Sequence, residues 1–219
     1  MWCVTEITKE YRERMYKILD LYEEKYDKKF PVVCMDEKSC QLLEEARKPI
    51  PLKEGSTAKR DYEYKRNGTG NIFVAVEPKA GKHILSVTPR RTKQDFANFI
   101  KYLMDNVYSK AKKVRLVADN LNTHFEKSFY ETFTKAEAKR ILKRIEFYYT
   151  PKHASWLNMA EIEINILETE CLKRKIGSIE KLSREIKAWE SEKNIQKKKI
   201  YWNFTKQNAD NKLSKHYVS

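Results

Sequence analysis

Two aspartates each close an apolar run. Val32-Val33-Cys34-Met35 precedes Asp36, and a run containing Val114, Leu116, Val117 and Ala118 precedes Asp119. Short apolar runs rich in β-branched residues predict buried strands. In open α/β sheets, functional groups gather at the carboxyl ends of strands. If the two strands are neighbours, the carboxylates face one another across a few ångströms and repel unless protons or cations intervene. Hard divalent cations with oxygen ligands relieve that repulsion, Mg²⁺ being the default and Mn²⁺ its substitute. A pair of such ions activates an oxygen nucleophile and stabilises the leaving oxygen of an in-line displacement at phosphorus. A single strand-terminal Asp is more often a turn or cap residue; two of them in a basic chain bring the functional reading level with the structural one.

A third carboxylate is needed, and a helix expected over 156–175, with Ser155 as its N-cap, offers four: Glu161, Glu163, Glu168 and Glu170. The apolar stripe of that helix is Leu157, Ala160, Ile164, Leu167 and Cys171. Glu161 and Glu163 flank the stripe on opposite sides, each about 80° from its centre, while Glu168 lies nearer the stripe but roughly 10 Å further along the axis. Periodicity does not choose among them, and each singly reads equally as a solvated charge beside a core stripe.

Lys and Arg total 45 against 31 Asp and Glu, a formal charge of +14 over 219 residues. Such an excess favours a polyanionic partner, because each phosphate contact releases counterions; solvated lysine-rich faces and anionic membrane surfaces are the competing explanations. Candidate phosphate contacts are Arg90, Arg91, Lys112, Lys113, Lys152, His153, Lys173, Arg174 and Lys175. Each alone is an ordinary surface charge, and the clustering is the signal. Four cysteines (Cys3, Cys34, Cys40, Cys171) form no C-x-x-C pair and four histidines are scattered, which argues against zinc. Cys34 and Cys171 read as small core residues, and the cysteine usage points to a reducing, cytoplasmic compartment. No apolar run approaches membrane-spanning length, and no leader pattern opens the chain.

The elements that must position these groups follow from periodicity. A helix is expected over 5–26, then the strand ending at Asp36. A polar loop follows over 46–61 with Pro49, Pro51 and Gly55, and a tight turn at Asn67-Gly68. Ile72–Val76 and His83–Thr88 read as an antiparallel pair, 92–108 as a helix, 114–118 as the second buried strand, 125–143 as helical and Ile145–Tyr149 as a further strand. A last helix over 179–193 starts after Ser178, and the basic tail holds Trp202 and Phe204 as anchors. The expected organisation is a linker helix (1–30), a catalytic domain (31–195) and a C-terminal tail (196–219). Strands that precede and then alternate with helices predict an α/β architecture with a mixed sheet. The order is similar to that of the ribonuclease H-like fold: a mixed five-stranded sheet with helices on both faces.

Three segments carry a resemblance: Val33-Cys34-Met35-Asp36-Glu37-Lys38, Asp119-Asn120-Leu121-Asn122-Thr123-His124, and Thr150-Pro151-Lys152-His153-Ala154-Ser155-Trp156-Leu157-Asn158-Met159-Ala160-Glu161. They closely resemble the bacterial insertion-sequence family six-thirty, a branch of the mariner transposase superfamily. The likeness runs from about Trp2 to the C-terminus, through Asp61-Tyr62-Glu63-Tyr64, Arg90-Arg91-Thr92 and Trp202-Asn203-Phe204-Thr205. The long third motif is highly specific; Asp36-Glu37 alone is weak.

The resemblance implies that an acidic triad of Asp36, Asp119 and Glu161 binds the metal ions, which settles the third carboxylate in favour of Glu161. It further implies water attack on a phosphodiester at an element end, followed by attack of the freed 3′-hydroxyl on target DNA. The partners so implied are double-stranded DNA, with terminal inverted repeats and a TA-containing target, and a second copy of the chain. Asn120 as a donor behind the metal ligands and His124 near substrate phosphate are further candidates, with loop and cap bonding an equal explanation for both. The gap of 41 residues between Asp119 and Glu161 exceeds that of animal relatives, and the surplus is expected within 125–143. Family members usually carry an N-terminal helix-turn-helix region, and this chain starts just before the catalytic domain, so end reading by this chain alone is not expected. The alternative is a non-catalytic DNA-binding or regulatory remnant of such an element; a resolvase-type nuclease of the same fold fits the third motif less well.

Overall fold

The apolar runs become the strands of one sheet. The computed structural model describes residues 6–48, 50–58, 62–119 and 126–218. Strand β1 (Val32–Glu45) is central. On one side it pairs antiparallel with β2 (Tyr64–Glu77), which pairs antiparallel with β3 (Lys82–Thr88). On the other side it pairs parallel with β4 (Val114–Ala118), which pairs parallel with β5 (Ile145–Tyr149). The spatial order is β3-β2-β1-β4-β5. This is the mixed five-stranded α/β sheet that the pattern predicts.

Alternation along the strands supplies two apolar faces. Val33, Met35, Phe73, Ala75, Val114 and Leu116 face α2 (Lys93–Tyr102), α3 (Lys127–Thr132) and α4 (Lys135–Leu142), where Phe96, Ile100, Phe129 and Ile141 complete the layer. On the opposite face, Val32, Cys34 and Val117 pack with Met15, Ile18 and Leu19 of α1 (Lys9–Glu23). Further along that face, Ile72, Val74 and Val76 meet α5 (Ala160–Leu167) and α6 (Ile179–Gln196) through Ile164, Leu167, Leu182 and Trp189. Burying one such side chain contributes about 1.5–3 kcal/mol, whereas an exposed ion pair contributes about 0–1 kcal/mol. The two apolar layers, not the many surface charges, hold the sheet together.

Several elements differ from the expectation, each for a local reason. β1 does not stop at Asp36 but runs on to Glu45, because residues 37–45 pair with β2 after β4 has ended. Asn67-Gly68 is no hairpin turn. It lies within β2, where the register with β1 slips between Gln41 and Leu43, and Gly68 takes φ 101°; the turn-like pair marks a bulge. The stretch 125–143 holds two helices, broken at Phe133 and restarted by the Thr134 cap. The helix expected over 156–175 is a 3₁₀ turn (Ser155–Leu157), a break at Asn158, then α5, which widens into a π-turn at Glu168–Leu172. Ser155 therefore does not cap it. The first helix is shorter than 5–26 and starts after the Thr8 cap. The tail contains a helix, α7 (Lys206–Leu213), opened by a Thr205/Asn208 capping box, and its Ala209 is buried in the layer that holds α1.

The edge strand β3 is covered by side chains from α6. Asn194 Oδ1 accepts the His83 N–H (2.8 Å) and Asn194 Nδ2 donates to the His83 carbonyl (2.8 Å). One turn earlier, Glu190 Oε1 accepts the Leu85 N–H (3.1 Å). These bonds replace the ladder that a sixth strand would supply and blunt the edge against pairing with another chain. Asn194→Ala leaves two backbone groups without these partners and is expected to cost about 1–3 kcal/mol. The readout is a lower urea midpoint at unchanged slope; an unchanged midpoint would show that the edge does not rely on this amide.

Candidate active site

The pairing register decides where the two aspartates lie. Cys34 is level with Val117 in the parallel β1–β4 pair. Continuing by two residues sets Asp36 level with Asp119 on the face that Cys34 and Val117 share, on chains about 4.8 Å apart. Asp119 is the first residue past β4 and is half-buried, while Asp36 is only 8% exposed.

The third carboxylate arrives from α5, which crosses that same face. Glu161 stands in its first turn, half-buried, and its N–H donates to the Asn158 carbonyl (3.1 Å). The other glutamates of this region are engaged elsewhere. Glu163 is buried with its Oε2 2.9 Å from His83 Nε2. Glu168 pairs with Lys38, and Glu170 accepts from Trp189 Nε1 (2.7 Å) and Lys193. Helical periodicity could not separate these four, because what distinguishes them are partners on β1, β3 and α6.

Electrostatics ties the group together. Burial, followed by the fields of Asp119, Glu161 and Glu37, pushes the Asp36 carboxyl up to about 7. The Glu37 N–H, which donates to Asp36 Oδ1 at 2.7 Å, pulls the other way without prevailing. Asn158 Nδ2 reaches Asp36 Oδ2 at 3.4 Å and the Met35 carbonyl at 2.9 Å. Among the described residues, no three Asp, Glu, His or Cys side chains stand close enough together to hold a metal ion in this structure. The arrangement is an open one, in which neighbouring carboxylates raise the proton affinity of Asp36. An all-oxygen, acid-only donor set of this kind fits a hard divalent cation and does not fit zinc or copper.

The remaining sequence candidates fall in different places. Asn120 and His124 lie outside the described residues. Lys152 and His153 are exposed on the loop between β5 and α5, at the sheet end where the carboxylates stand, and His153 takes φ 63°. Arg90 and Arg91 are exposed just past the end of β3, at the same end of the sheet. Lys112 and Lys113 precede β4 and so stand at the opposite end, where their N–H groups bond to the Lys29 carbonyl (2.8 and 3.2 Å). Lys173, Arg174 and Lys175 follow the far end of α5; Arg174 pairs with Glu185, and Lys175 with Glu45 (2.7 Å). Trp156 packs between Trp202 and Phe204, at 6.4 and 5.4 Å between ring centres. Asn158 touches Asp36 and was not singled out from residue type. Its sequence signals are its place in the Trp156-Leu157-Asn158-Met159-Ala160-Glu161 motif and that an asparagine interrupts a helical pattern, where such residues bond backbone instead.

Comparisons with known proteins agree with this geometry. A family model described as DDE superfamily endonuclease matches residues 31–183. No curated protein matches. Among solved structures, the chain is similar to the Mos1 mariner paired end complex with Mn, with a TM-score of 0.54 and 18% identity over 88% of this chain and 58% of that one. It is similar to the Mos1 paired end complex with Mg (TM-score 0.59, 14% identity, 100% of this chain and 66% of that one). The pre-cleavage Mos1 transpososome matches alike, with a TM-score of 0.56 and 15% identity over 100% and 66%. The chain thus spans less than two thirds of the length of these relatives. At such identities the likeness shows the fold, which is the ribonuclease H-like one. With the family match running from the residue before β1 into α6, this protein belongs to the DDE superfamily endonucleases.

Proposed function

We propose that this chain is the catalytic domain of a cut-and-paste DNA transposase of the bacterial insertion-sequence type, in the six-thirty branch of the mariner superfamily. The observation that carries the reading is the Asp36 carboxyl, held up to about 7 by burial and by Asp119 and Glu161, which arrive from separate elements. Carboxyls with strongly raised proton affinity cluster at functional sites. The formal charge of +14 favours a nucleic-acid substrate, and the solved relatives are described as complexes with transposon ends or as transpososomes.

In this reading Asp36, Asp119 and Glu161 would hold divalent ions, Mg²⁺ or Mn²⁺. When bound, the ions supply positive charge for the attacking and leaving oxygens of an in-line displacement at phosphorus. The chain's own contribution is placement. The β1–β4 register fixes two carboxylates side by side, α5 delivers the third, and burial of Asp36 keeps water from screening them. Arg90, Arg91, Lys152 and His153 sit at the same sheet end and are positioned to meet DNA phosphates. The substrates are double-stranded DNA carrying terminal inverted repeats and a TA-containing target; the working form is a dimer on DNA in the bacterial cytoplasm.

Asp119→Asn keeps the shape and removes one charge. With Mn²⁺ and pre-cleaved element-end DNA, strand transfer is expected to fall about a thousandfold or more, the several kcal/mol that a held cation contributes to the transition state. DNA binding by gel shift is expected to persist, and transfer that survives the substitution rejects the assignment.

A second expectation concerns stability without metal. The folded-state carboxyl of Asp36 titrates at about 7, against about 4 in the unfolded chain. Between those values the folded state keeps a proton that the unfolded state has released. The stability is therefore intact below about pH 4 and is lost as pH rises to about 7. Asp36→Asn removes that loss. In EDTA at pH 8 the variant is expected to be more stable than the parent by about 1–3 kcal/mol in urea denaturation, while being inactive in strand transfer. A variant no more stable than the parent at pH 8 contradicts the electrostatic account.

A further inference from the structure

Asn158 is fully buried, and its side chain bonds to two of the elements that carry the acidic cluster, β1 and α5. Oδ1 accepts the N–H of Ala160 (3.2 Å), the first residue of α5. Nδ2 donates to the Met35 carbonyl (2.9 Å) and lies 3.4 Å from Asp36 Oδ2. The pairing of β1 with β4 ends at Cys34, so the amide takes up the Met35 carbonyl one residue past the last ladder position on that side. The Asn158 carbonyl in turn accepts the N–H of Glu161 (3.1 Å). One residue thus touches β1 at Met35, the Asp36 carboxylate, and the first turn of α5 that carries Glu161.

Resting on the function proposed above, we infer that Asn158 is a positioning residue for metal binding. It fixes the rotation of the Asp36 carboxylate and the distance from β1 at which α5 presents Glu161. Each carboxylate oxygen has about two lone-pair sites. The Glu37 N–H uses one on Oδ1 and Asn158 uses one on Oδ2, so both oxygens are oriented and each keeps a site for a cation. No other neutral side chain of this size caps a helix with an acceptor while donating to a carbonyl and a carboxylate. Serine caps a helix N-terminus about as well as asparagine, but it is too short to bond Ala160 and Met35 together.

The test compares Mn²⁺ binding to the full chain, by calorimetry and by the electron paramagnetic resonance signal of free Mn²⁺, in the parent, Asn158→Ser and Asn194→Ala. The last loses comparable hydrogen bonding at the β3 edge, away from the carboxylates, and controls for destabilisation; circular dichroism at the working temperature verifies that all three are folded. Asn158→Ser is expected to bind Mn²⁺ about tenfold more weakly, as for loss of a group that orients a metal ligand, with Asn194→Ala like the parent. In strand transfer with pre-cleaved ends, kcat for Asn158→Ser is expected to fall while KM for DNA stays. Equal Mn²⁺ affinity in parent and Asn158→Ser overturns the inference, as does an equal weakening in both variants. A parent that fails to bind Mn²⁺ overturns the proposed function, and this inference with it.

Discussion

The burial of the Asp36 carboxyl beside Asp119 and Glu161 at one end of the sheet is the constraint to which the surrounding structure answers. Asp36 and Asp119 are side by side because β1 and β4 pair in parallel with Cys34 level with Val117. That register sets Val33 and Leu116 together in one apolar layer and Cys34 and Val117 together in the other. Holding α5 across this face brings Glu161 near enough to be felt by Asp36. The hydrophobic layers offset the cost of burying the Asp36 carboxyl, because each buried aliphatic side chain contributes about as much as one pKa unit of penalty or more.

The rest of α5 shows how the chain separates structural acids from the cluster. Glu163 is sealed against His83, whose ring also meets Trp189 edge-on at 5.7 Å. Glu168 and Glu170 are tied to Lys38, Lys193 and Trp189. Four glutamates on one helical segment thus take different tasks, and only Glu161 is turned toward Asp36 strongly enough to raise its proton affinity.

Much of the fold could be read from pattern, because strands buried on both faces leave short apolar runs that no other element explains. β4, with all five residues buried, is the clearest case. What periodicity missed was set by tertiary partners. The polar half of β1 beyond Asp36 is a strand only because β2 lies beside it. Asn67-Gly68 has the composition of a hairpin turn, yet it sits in a bulge where Asn67 donates to Glu44 (3.0 Å) and to the Gly177 carbonyl (2.9 Å). For the site, two strand-terminal aspartates were visible from residue type and position. The choice of Glu161 came from resemblance, since three other glutamates on the segment share its chemistry. The part of Asn158 was hidden, because an asparagine before a helix is ordinarily no more than a cap.

The central claim is that Asp36 feels Asp119 and Glu161 through a poorly screened interior. A ¹³C magnetic-resonance titration of the Asp36 side-chain carboxyl in metal-free protein measures this directly. A midpoint at about 7 is expected, moving down when Asp119 and Glu161 are replaced together by Asn and Gln. A midpoint near the ordinary value of about 4, indifferent to those replacements, would contradict it.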